Sequence, residues 1–317
     1  MNLPIANGPN YSNRAVSGKS PASRFIPEIW SSKLLVKFYE ATILAAISNT
    51  DYEGEITSYG DKVYIRTTPD IQIYDYEKGK DLSYDQPESD SVELIIDRGK
   101  HFNFTCDDVD AFQADIDKME DWSQDASEQM KIAIDRDVLS TIYADAAPEN
   151  QGATAGKITG DFNLGEAGSP VEVTKDNVID HIVDLGTVLD EQDIPEEGRW
   201  LALPSWAVGM IKQSDLKDAS LAGDGTSILR NGRVGMIDRF TLYRSNLLDS
   251  ATETPGKSFH MMAGHTSALT FASQMTKMET LRNPNRFGDL MRGLNVYGYE
   301  VLKPESLVHF YGYKGSV

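Results

Sequence analysis

The side chains of this sequence that could carry chemistry are five histidines, one cysteine and 49 acidic residues, and their spacing favours no metal site. A zinc site draws on several histidines, cysteines or carboxylates at short, characteristic intervals. No His-Glu-x-x-His pattern and no cysteine pair is present, and no such spacing links the five histidines, which are His101, His181, His260, His265 and His309. We therefore expect no metal and no other cofactor.

Signals for nucleophilic catalysis and for phosphate binding are equally weak. A Ser-His-Asp triad can assemble from distant segments, but no Gly-x-Ser-x-Gly elbow occurs. The run Gly18-Lys19-Ser20 ends like a phosphate-binding loop, yet Asn13 occupies the position of the required glycine. We expect that the chain is not an enzyme.

Five aspartates between positions 107 and 117 invite a calcium interpretation. A calcium-binding EF-hand loop needs glycine at its sixth position, and Phe112 stands there for a loop that begins at Asp107. The helix dipole favours acidic residues in the first turn of a helix. We interpret the aspartates as the start of a helix.

The composition and charge exclude whole classes of function. The 317 residues are 40% hydrophobic, enough for a large core, and 49 acidic against 30 basic residues give a net charge of −19. Such a chain is repelled by nucleic-acid phosphates and by anionic membrane surfaces. With Cys106 as its one cysteine it forms no intrachain disulfide, and its first residues lack the apolar core of a secretory signal. We expect synthesis in the cytosol.

The elements that must position any functional residue begin with a basic N-terminal segment. Residues 1–26 are rich in proline, glycine and small polar residues, without periodicity. Up to position 37 the chain carries one acid, Glu28, against five bases, namely Arg14, Lys19, Arg24, Lys33 and Lys37. This is either a frayed terminus or an arm that crosses onto an acidic neighbouring surface. Helical spacing of apolar residues then predicts a helix over 27–48.

A projecting ribbon and a long helix follow. Alternating apolar residues predict strands at 63–65, 71–73, 92–96 and 102–104, with a polar tip at 75–91 between the second and the third. Such a ribbon is marginal alone and needs something to lie against. From position 107 to Pro148, apolar residues recur every three or four positions, which predicts a helix of about 38 residues and about 55 Å, with Asp107 or Asp108 as N-cap. The segment 107–149 holds thirteen acids against three bases.

The second half of the chain reads as a compact α/β unit followed by closing strands. After a glycine-rich loop at 150–173, we predict a helix from Thr174 to Asp190, a buried strand at 200–203 and a helix from Pro204. Further strands are predicted at 240–243, 259–263, 269–271, 275–281, 294–299 and 307–311. The class is α+β.

The order of these parts resembles the major capsid proteins of tailed bacteriophages, which share the Hong Kong 97-type capsid fold. The segments 189–206 (LDEQDIPEEGRWLALPSW), 231–248 (NGRVGMIDRFTLYRSNLL) and 271–308 are similar to that family's axial-domain strand and helix, its following loop and strand, and its closing strands. At Arg239 the family pattern leads us to expect a small residue instead.

The resemblance implies a division of the chain and a structural function. The implied parts are an N-terminal arm (1–26), an N-terminal helix (27–49), an E-loop (50–106), the spine helix of a peripheral domain (107–149), an axial domain (150–270) and returning strands (271–317). Copies would form pentamers and hexamers of an icosahedral phage head around double-stranded DNA. The arm and the E-loop would lie on neighbouring subunits. The candidate contacts are Arg14, Lys19, Arg24, Tyr74, Tyr76, Lys78, Lys80, Arg230, Arg233, Glu279, Arg282 and Arg286.

The implied partners are the chain itself, portal and scaffolding proteins, a decoration protein and the enclosed DNA, with no membrane. The implied location is the virion, after assembly in the cytoplasm of the bacterial host. An acidic wall would keep packaged DNA from sticking to the lining. Two alternatives stay open: an encapsulin-like compartment that encloses a protein, and an acidic cytosolic hydrolase.

Overall fold

The structure, a computed structural model, describes residues 40, 42–51, 62–66, 69, 71–79, 81, 86, 89, 91–107, 118–214, 233–254, 256–284 and 287–315. The helices are α1 (Leu44–Ile47), α2 (Lys118–Leu139), α3 (Val178–Glu191) and α4 (Ser205–Gln213). The strands are β1 (Lys62–Arg66), β2 (Ser91–Ile95), β3 (Arg98–Asp107), β4 (Val171–Val173), β5 (Arg199–Leu203), β6 (Arg233–Ile237), β7 (Phe240–Arg244), β8 (Ser250–Thr252), β9 (Lys257–His265), β10 (Leu269–Arg282), β11 (Gly288–Val301) and β12 (Leu307–Lys314). Single turns of 3-10 helix lie at Ile142–Asp145, Pro148–Asn150 and Pro304–Ser306.

A seven-stranded mixed sheet, which we call the axial sheet, forms the centre of the fold. Its strand order is β4-β12-β9-β5-β7-β6, with β8 paired to β9. Strand β5 is parallel to β7 and antiparallel to β9, and all five of its residues are buried. A short, wholly apolar run such as Trp200–Leu203 is typical of a strand covered on both faces. The prediction of this buried strand is confirmed.

The second sheet is a three-stranded antiparallel one, which we call the peripheral sheet. Its order is β10-β11-β3, and helix α2 packs against it, with the Phe104 ring edge-on to Trp122. Strands β10 and β11 are each 14 residues long, so the strands predicted at 269–271, 275–281 and 294–299 belong to one long hairpin. The hairpin runs from the main core into the peripheral sheet, with one register shift between Ser273 and Met275.

A carboxylate on α2 joins this sheet to the chain that leaves the ribbon. The Asp137 carboxylate accepts hydrogen bonds from Arg98 Nη1 (3.0 Å) and the Tyr297 hydroxyl (2.8 Å), and Lys100 Nζ lies 3.8 Å away. Burial raises the pKa of Asp137, but the bonds from Tyr297 and Arg98 outweigh it and leave the pKa lowered. The Arg98 guanidinium also lies over the Tyr299 ring, 4.5 Å from its centre. One ionised carboxylate therefore ties α2, β3 and β11 together.

The ribbon consists of β1 and β2, paired antiparallel over five residues each. Leu94, Ile96 and Ala272 form a small core at its base, against which Val63 and Val296 pack. The backbone of β2 approaches the peripheral sheet closely at Gly298, where a Cβ atom would lie 2.2 Å from the Ile95 carbonyl oxygen. The base of the predicted ribbon is therefore confirmed and is anchored on the sheet.

The predicted helix over 27–48 is wrong at its C-terminal end, since only Leu44–Ile47 is helical among the described residues there. The cause lies in α2. The buried Asp135 carboxylate accepts hydrogen bonds from the N–H groups of Ile43 (2.6 Å) and Leu44 (3.2 Å), which begins a new, short helix at this point. Burial raises the pKa of Asp135 although these two bonds lower it. Residues 27–39 lie outside the described residues.

The long helix is also shorter than predicted. It ends at Leu139 rather than at Pro148, because the Ser140 and Thr141 hydroxyls bond the Asp137 carbonyl and the chain turns into 3-10 geometry. Asp107 cannot be its N-cap, since it is the last residue of β3, paired with Gly288; Asp108 and residues 109–117 lie outside the described part. The described helix of 22 residues measures about 33 Å.

Two smaller corrections concern the axial region. Helix α3 begins at Val178 rather than Thr174, because the Asn177 side chain closes a turn by accepting the Thr174 N–H at 2.7 Å. The turn between β6 and β7 holds Arg239 where a small residue was expected. Asp238 and Arg239 have φ angles of +43° and +67°, the left-handed pair of a type I′ hairpin, which twists with the strands. No described helix is long and apolar enough to cross a membrane.

The close approach at Gly298 yields a prediction. Replacing Gly298 by alanine places a methyl group against the Ile95 carbonyl, so we expect a loss of about 1–3 kcal/mol in the free energy of unfolding. Denaturant unfolding of the subunit measures this. Gly99→Ala is the matched control, since its Cβ would meet nothing closer than 3.8 Å. Equal stability of the two variants would contradict the anchoring of the ribbon at this point.

Candidate subunit-contact surfaces

The chain beyond β1 includes an exposed segment at positions 71–77 that belongs to no helix or strand. Its apolar side chains point into solvent: Ile73 is 95% exposed, Tyr76 is 76% exposed, and Ile71 is similarly exposed. The Tyr74 hydroxyl donates to Gln72 Oε1 at 2.8 Å. The predicted strand at 71–73 is wrong for the single subunit, since these residues belong to none of the described sheets.

Such a segment is a surface that needs a partner. Isoleucine and tyrosine have high β propensity, and they are ordinarily buried against neighbouring side chains in a sheet. Lys78 and Gly79 form the turn that follows, with Lys78 exposed. Among the described candidates, Tyr74, Tyr76 and Lys78 therefore share one exposed segment, as the sequence predicts for the ribbon.

The outer end of the peripheral sheet presents a second exposed surface. Phe287, in the turn between β10 and β11, is 83% exposed, and Met278, Leu281 and Leu294 are each more than one-third exposed. The ordinary place for such side chains is a core or an interface. The β10 strand is the edge of its sheet, so its outward backbone groups face away from β11.

The two charged candidates on this sheet already have partners within the chain. Glu279 accepts hydrogen bonds from Lys277 and from Arg292 Nε (2.9 Å), and these two cations lower its pKa to about 2. Arg282 donates to Asp289 Oδ1 at 3.2 Å. Both ion pairs join β10 to β11 directly across the hairpin, so they fix its register.

The remaining candidate contact residues, apart from the backbone of Arg233, are not among the described residues. Arg14, Lys19, Arg24, Lys80, Arg230 and Arg286 lie outside the described residues. Arg233 opens β6 and pairs with Tyr243 in the backbone register, but its side chain is not described.

An ion cluster at the end of α3 is a feature that the sequence reasoning missed. The Arg199 side chain is wholly buried and donates to Asp190 Oδ1 (2.7 Å) and to the carbonyls of Gly186 and Pro195. Arg239 donates to the other Asp190 oxygen at 2.9 Å and to Glu196 Oε1 at 2.6 Å. Arg239, the unexpected residue of the β6–β7 turn, thus joins Arg199 in binding Asp190 at the end of α3, and we call this pair of arginines the clamp on α3.

This cluster also explains the charge state of Asp190. Burial raises the pKa of Asp190, but the bonds from Arg199 and Arg239 outweigh burial and leave the pKa lowered. The sequence signal for Arg199 was its position directly before the buried run Trp200–Leu203. For Asp135, the signal was its place on the apolar side of α2, three residues from both Ile132 and Val138.

The side chains that could bind a metal or act as nucleophiles form few clusters in the described part of the chain. In the part of the chain that the structure describes, no group of three or more histidine, cysteine or acidic side chains is placed to hold a metal ion. Cys106 is buried in β3. The one close histidine pair, His260 and His309, is buried between strands of the axial sheet.

Comparison with known proteins gives consistent matches. A family model described as phage capsid protein matches residues 95–310. A solved structure from Mycobacterium phage Che8 is 27% identical, with a TM-score of 0.71 over 90% of this chain and 97% of that one. The capsid structure of cyanophage P-SCSP1u (16% identical, TM-score 0.69, 95% and 97% covered) and the capsid asymmetric unit of cyanophage Pam1 (11%, 0.67, 95% and 100%) share the fold. No curated protein matches the chain.

The clamp on α3 yields a prediction with a control in the same cluster. Asp190→Asn leaves the buried Arg199 without its carboxylate, so we expect a loss of about 1–3 kcal/mol in unfolding free energy at pH 7. Glu196→Gln removes only an exposed partner of Arg239 and should cost less than about 1 kcal/mol. Denaturant unfolding compares the two.

The same pair of proteins tests the charge. A lowered Asp190 pKa stabilises the fold above its unfolded value of about 3.9, and this stabilisation is lost as the pH falls below that value. The stability gap between wild type and Asp190→Asn should therefore shrink between about pH 5 and pH 3. A gap that stays constant over this range would contradict the ionised clamp.

Proposed function

Because the chain belongs to the phage capsid protein family, we propose that its copies meet through the exposed segment 71–77, the N-terminal residues and the outer end of the peripheral sheet. The protein is a structural major capsid protein, and it assembles with copies of itself into the multi-subunit shell of the virion. The family and the similar structures imply a structural rather than an enzymatic role.

The segment 71–77 carries this proposal. The isoleucine and tyrosine side chains of this segment gain little from exposure to water, and burial against another subunit would stabilise them. Two faces of such a segment can be covered at once when it adds as a strand to another sheet. Anchoring of the ribbon base at Gly298 and Val296 keeps the segment away from the chain's own core and available to a neighbour.

The outer end of a second copy's peripheral sheet is a suitable acceptor. Its β10 strand is a free edge among the described strands, and Met278, Leu281 and Phe287 offer apolar surface beside it. The internal pairs of Glu279 and Arg282 leave this surface nearly neutral. We infer that apolar burial and backbone pairing provide most of the contact energy here, while charge contributes register.

The basic candidates serve a second kind of contact. Arg14, Lys19 and Arg24 lie in the segment of opposite charge to the rest of the chain, and Arg230 precedes by three positions Arg233, the first residue of β6. We propose that these cations pair with acidic surfaces of adjacent copies. Many weak exposed pairs, repeated around closed symmetric rings, add specificity without a large energy from any one.

Further details follow from the same proposal. The subunits form pentamers and hexamers of an icosahedral head around double-stranded DNA, in a shell assembled in the bacterial cytoplasm with portal, scaffolding and decoration proteins. The chain divides into an arm, an N-terminal helix, an E-loop, a spine helix that ends at Leu139, an axial domain and returning strands, and the acidic wall keeps DNA from adhering to the lining. An encapsulin-like compartment is less favoured; nuclease-resistant DNA rather than a co-purifying protein inside purified particles distinguishes the two.

The ribbon contact makes a direct prediction. Ile73→Lys places a charge where the proposed interface is apolar, so we expect the association constant of each contact to fall at least tenfold and particle yield to collapse. The subunit's own melting temperature should not change, because the side chain is 95% exposed. Sedimentation velocity and negative-stain microscopy measure the particles.

A matched variant separates interface from charge. Val183→Lys adds the same charge at an exposed position of α3 and should assemble normally. Particles of wild-type yield from Ile73→Lys would contradict the role of the ribbon. Absence of particles from the wild-type chain at high concentration would instead contradict shell assembly by the chain alone.

The N-terminal contact predicts a change in salt response. Replacing Arg14, Lys19 and Arg24 together by serine should weaken assembly at low salt, because the ion pairs with neighbouring subunits are lost. Assembly should also depend less on salt, because fewer ion pairs remain for the salt to screen. The assembly yield of the variant should therefore vary less between 50 and 500 mM salt (about 14 and 4 Å of screening length) than that of wild type. Identical salt curves for the two proteins, measured by light scattering, would count against the proposal.

A further inference from the structure

Four aromatic rings form a cluster where the turn after helix α2 contacts the axial sheet; they belong to Tyr143, His260, His309 and Tyr311. Tyr143, in the Ile142–Asp145 turn directly after α2, stacks on His260 of β9 with ring centres 3.9 Å apart. His260 is stacked in turn with His309 of β12 and lies 4.5 Å from the ring centre of Tyr311. The Tyr143 hydroxyl donates to Asp249 Oδ2 at 3.4 Å. This ring cluster is thus a contact between the peripheral part of the chain and the axial sheet.

The centre of the cluster is a hydrogen bond between two histidines. His260 Nδ1 and His309 Nε2 lie 2.9 Å apart, so one of these two nitrogens carries a proton and the other accepts it. His309 is only 8% exposed. The pair can share one proton between the facing nitrogens but cannot hold two, since two N–H groups would then point at each other.

We propose that the ring cluster is an acid-sensitive joint, in which protonation of both facing nitrogens opens the contact between the 142–145 turn and the axial sheet while the sheet itself stays folded. The strands that carry the two histidines are held by their own ladder, from Leu307–Gly264 to Tyr313–Ser258. The turn has no such ladder: apart from the ring cluster it is held by Ile142 in the main core and, just beyond it, by the bond from the Ala147 N–H to the Pro304 carbonyl. It is therefore the less firmly held side of the contact. The consequence is a change in how α2 is held against the axial sheet.

The surrounding groups decide the order of protonation. Burial lowers the pKa of His260, whereas Asp249 and Glu253 raise it. Burial, and after it the neighbouring His260, lowers the pKa of His309 to about 3. Tyr143 and Tyr311 have raised pKa values through burial and stay neutral. His260 therefore takes the first proton and still donates to His309; the second proton breaks the bond.

The pH range follows from the same values. In the open joint His309 regains an ordinary pKa of about 6.5, so the open form binds a proton that the closed form refuses. Stability of the closed joint is thus lost as the pH falls, and the ratio of open to closed forms rises about tenfold per pH unit between about pH 6.5 and pH 3.

Hydrogen exchange of the full chain tests the proposal locally. After correction for intrinsic rates, peptides covering 141–147 should lose protection by about tenfold per pH unit below about pH 6, whereas peptides covering β5 should not. His309→Phe keeps a ring in place but cannot be protonated, so its 141–147 protection should fall less steeply with pH than that of wild type, with only the contribution of His260 left. His101→Gln, exposed on β3, is the matched control and should behave as wild type.

Two results would overturn the joint. One is equal acid loss of protection at 141–147 in His309→Phe and in wild type; the other is full protection of wild type down to pH 4. Should His309→Phe fail to fold, solid-state NMR of histidine-labelled wild type decides in its place. A His309 ring that titrates near pH 6.5 without any change at Tyr143 would contradict the proposal, and one that stays neutral until the turn opens supports it.

Discussion

The bond network of Asp137 is the interaction on which the outlying parts of this fold depend. It lies on the last turn of α2 and holds Arg98, which follows the ribbon, and Tyr297, from the middle of the long hairpin. The ribbon and the peripheral sheet bury too little surface to stay in place through packing alone. Charged hydrogen bonds to one carboxylate give them a defined direction, because each donor arrives from a different element. Two positions earlier, Asp135 does the same for the chain that enters α1.

Most apolar side chains of the axial part of the subunit are therefore buried, whereas many of those in the ribbon and at the end of the peripheral sheet are exposed. The axial sheet is covered, and its central strand is buried on both faces. The ribbon segment and the far end of the peripheral sheet instead expose isoleucine, tyrosine, phenylalanine and leucine side chains. A protein that works alone avoids such surfaces. A subunit of a shell needs such apolar surfaces, since they become buried in the contacts between copies.

Local patterns in the sequence predicted the elements well and their ends poorly. The buried strand at Trp200 and the hairpin strands follow from unbroken or alternating apolar runs, which are properties of neighbouring residues. The end of α2 and the start of α1 depend on hydroxyls and on a carboxylate 92 positions away, which no periodicity contains. The role of Arg239 needed the third dimension too, because its partners lie on α3 and on the loop that follows it. The basic residues chosen as contacts lie mainly outside the described chain, and their role stays a prediction.

The β10–β11 hairpin has a mechanical consequence. At one end Leu269 and Val301 are buried in the main core, and at the other Phe287 is exposed to solvent, about 45 Å away along a ladder with one register shift. A twisted two-stranded ladder with ion pairs across it resists stretching far more than it resists bending. A neighbouring subunit that pushes on the exposed tip therefore applies a force that the hairpin transmits to its buried end in the main core. A force on the tip can therefore reach the core of the same subunit through its own continuous backbone.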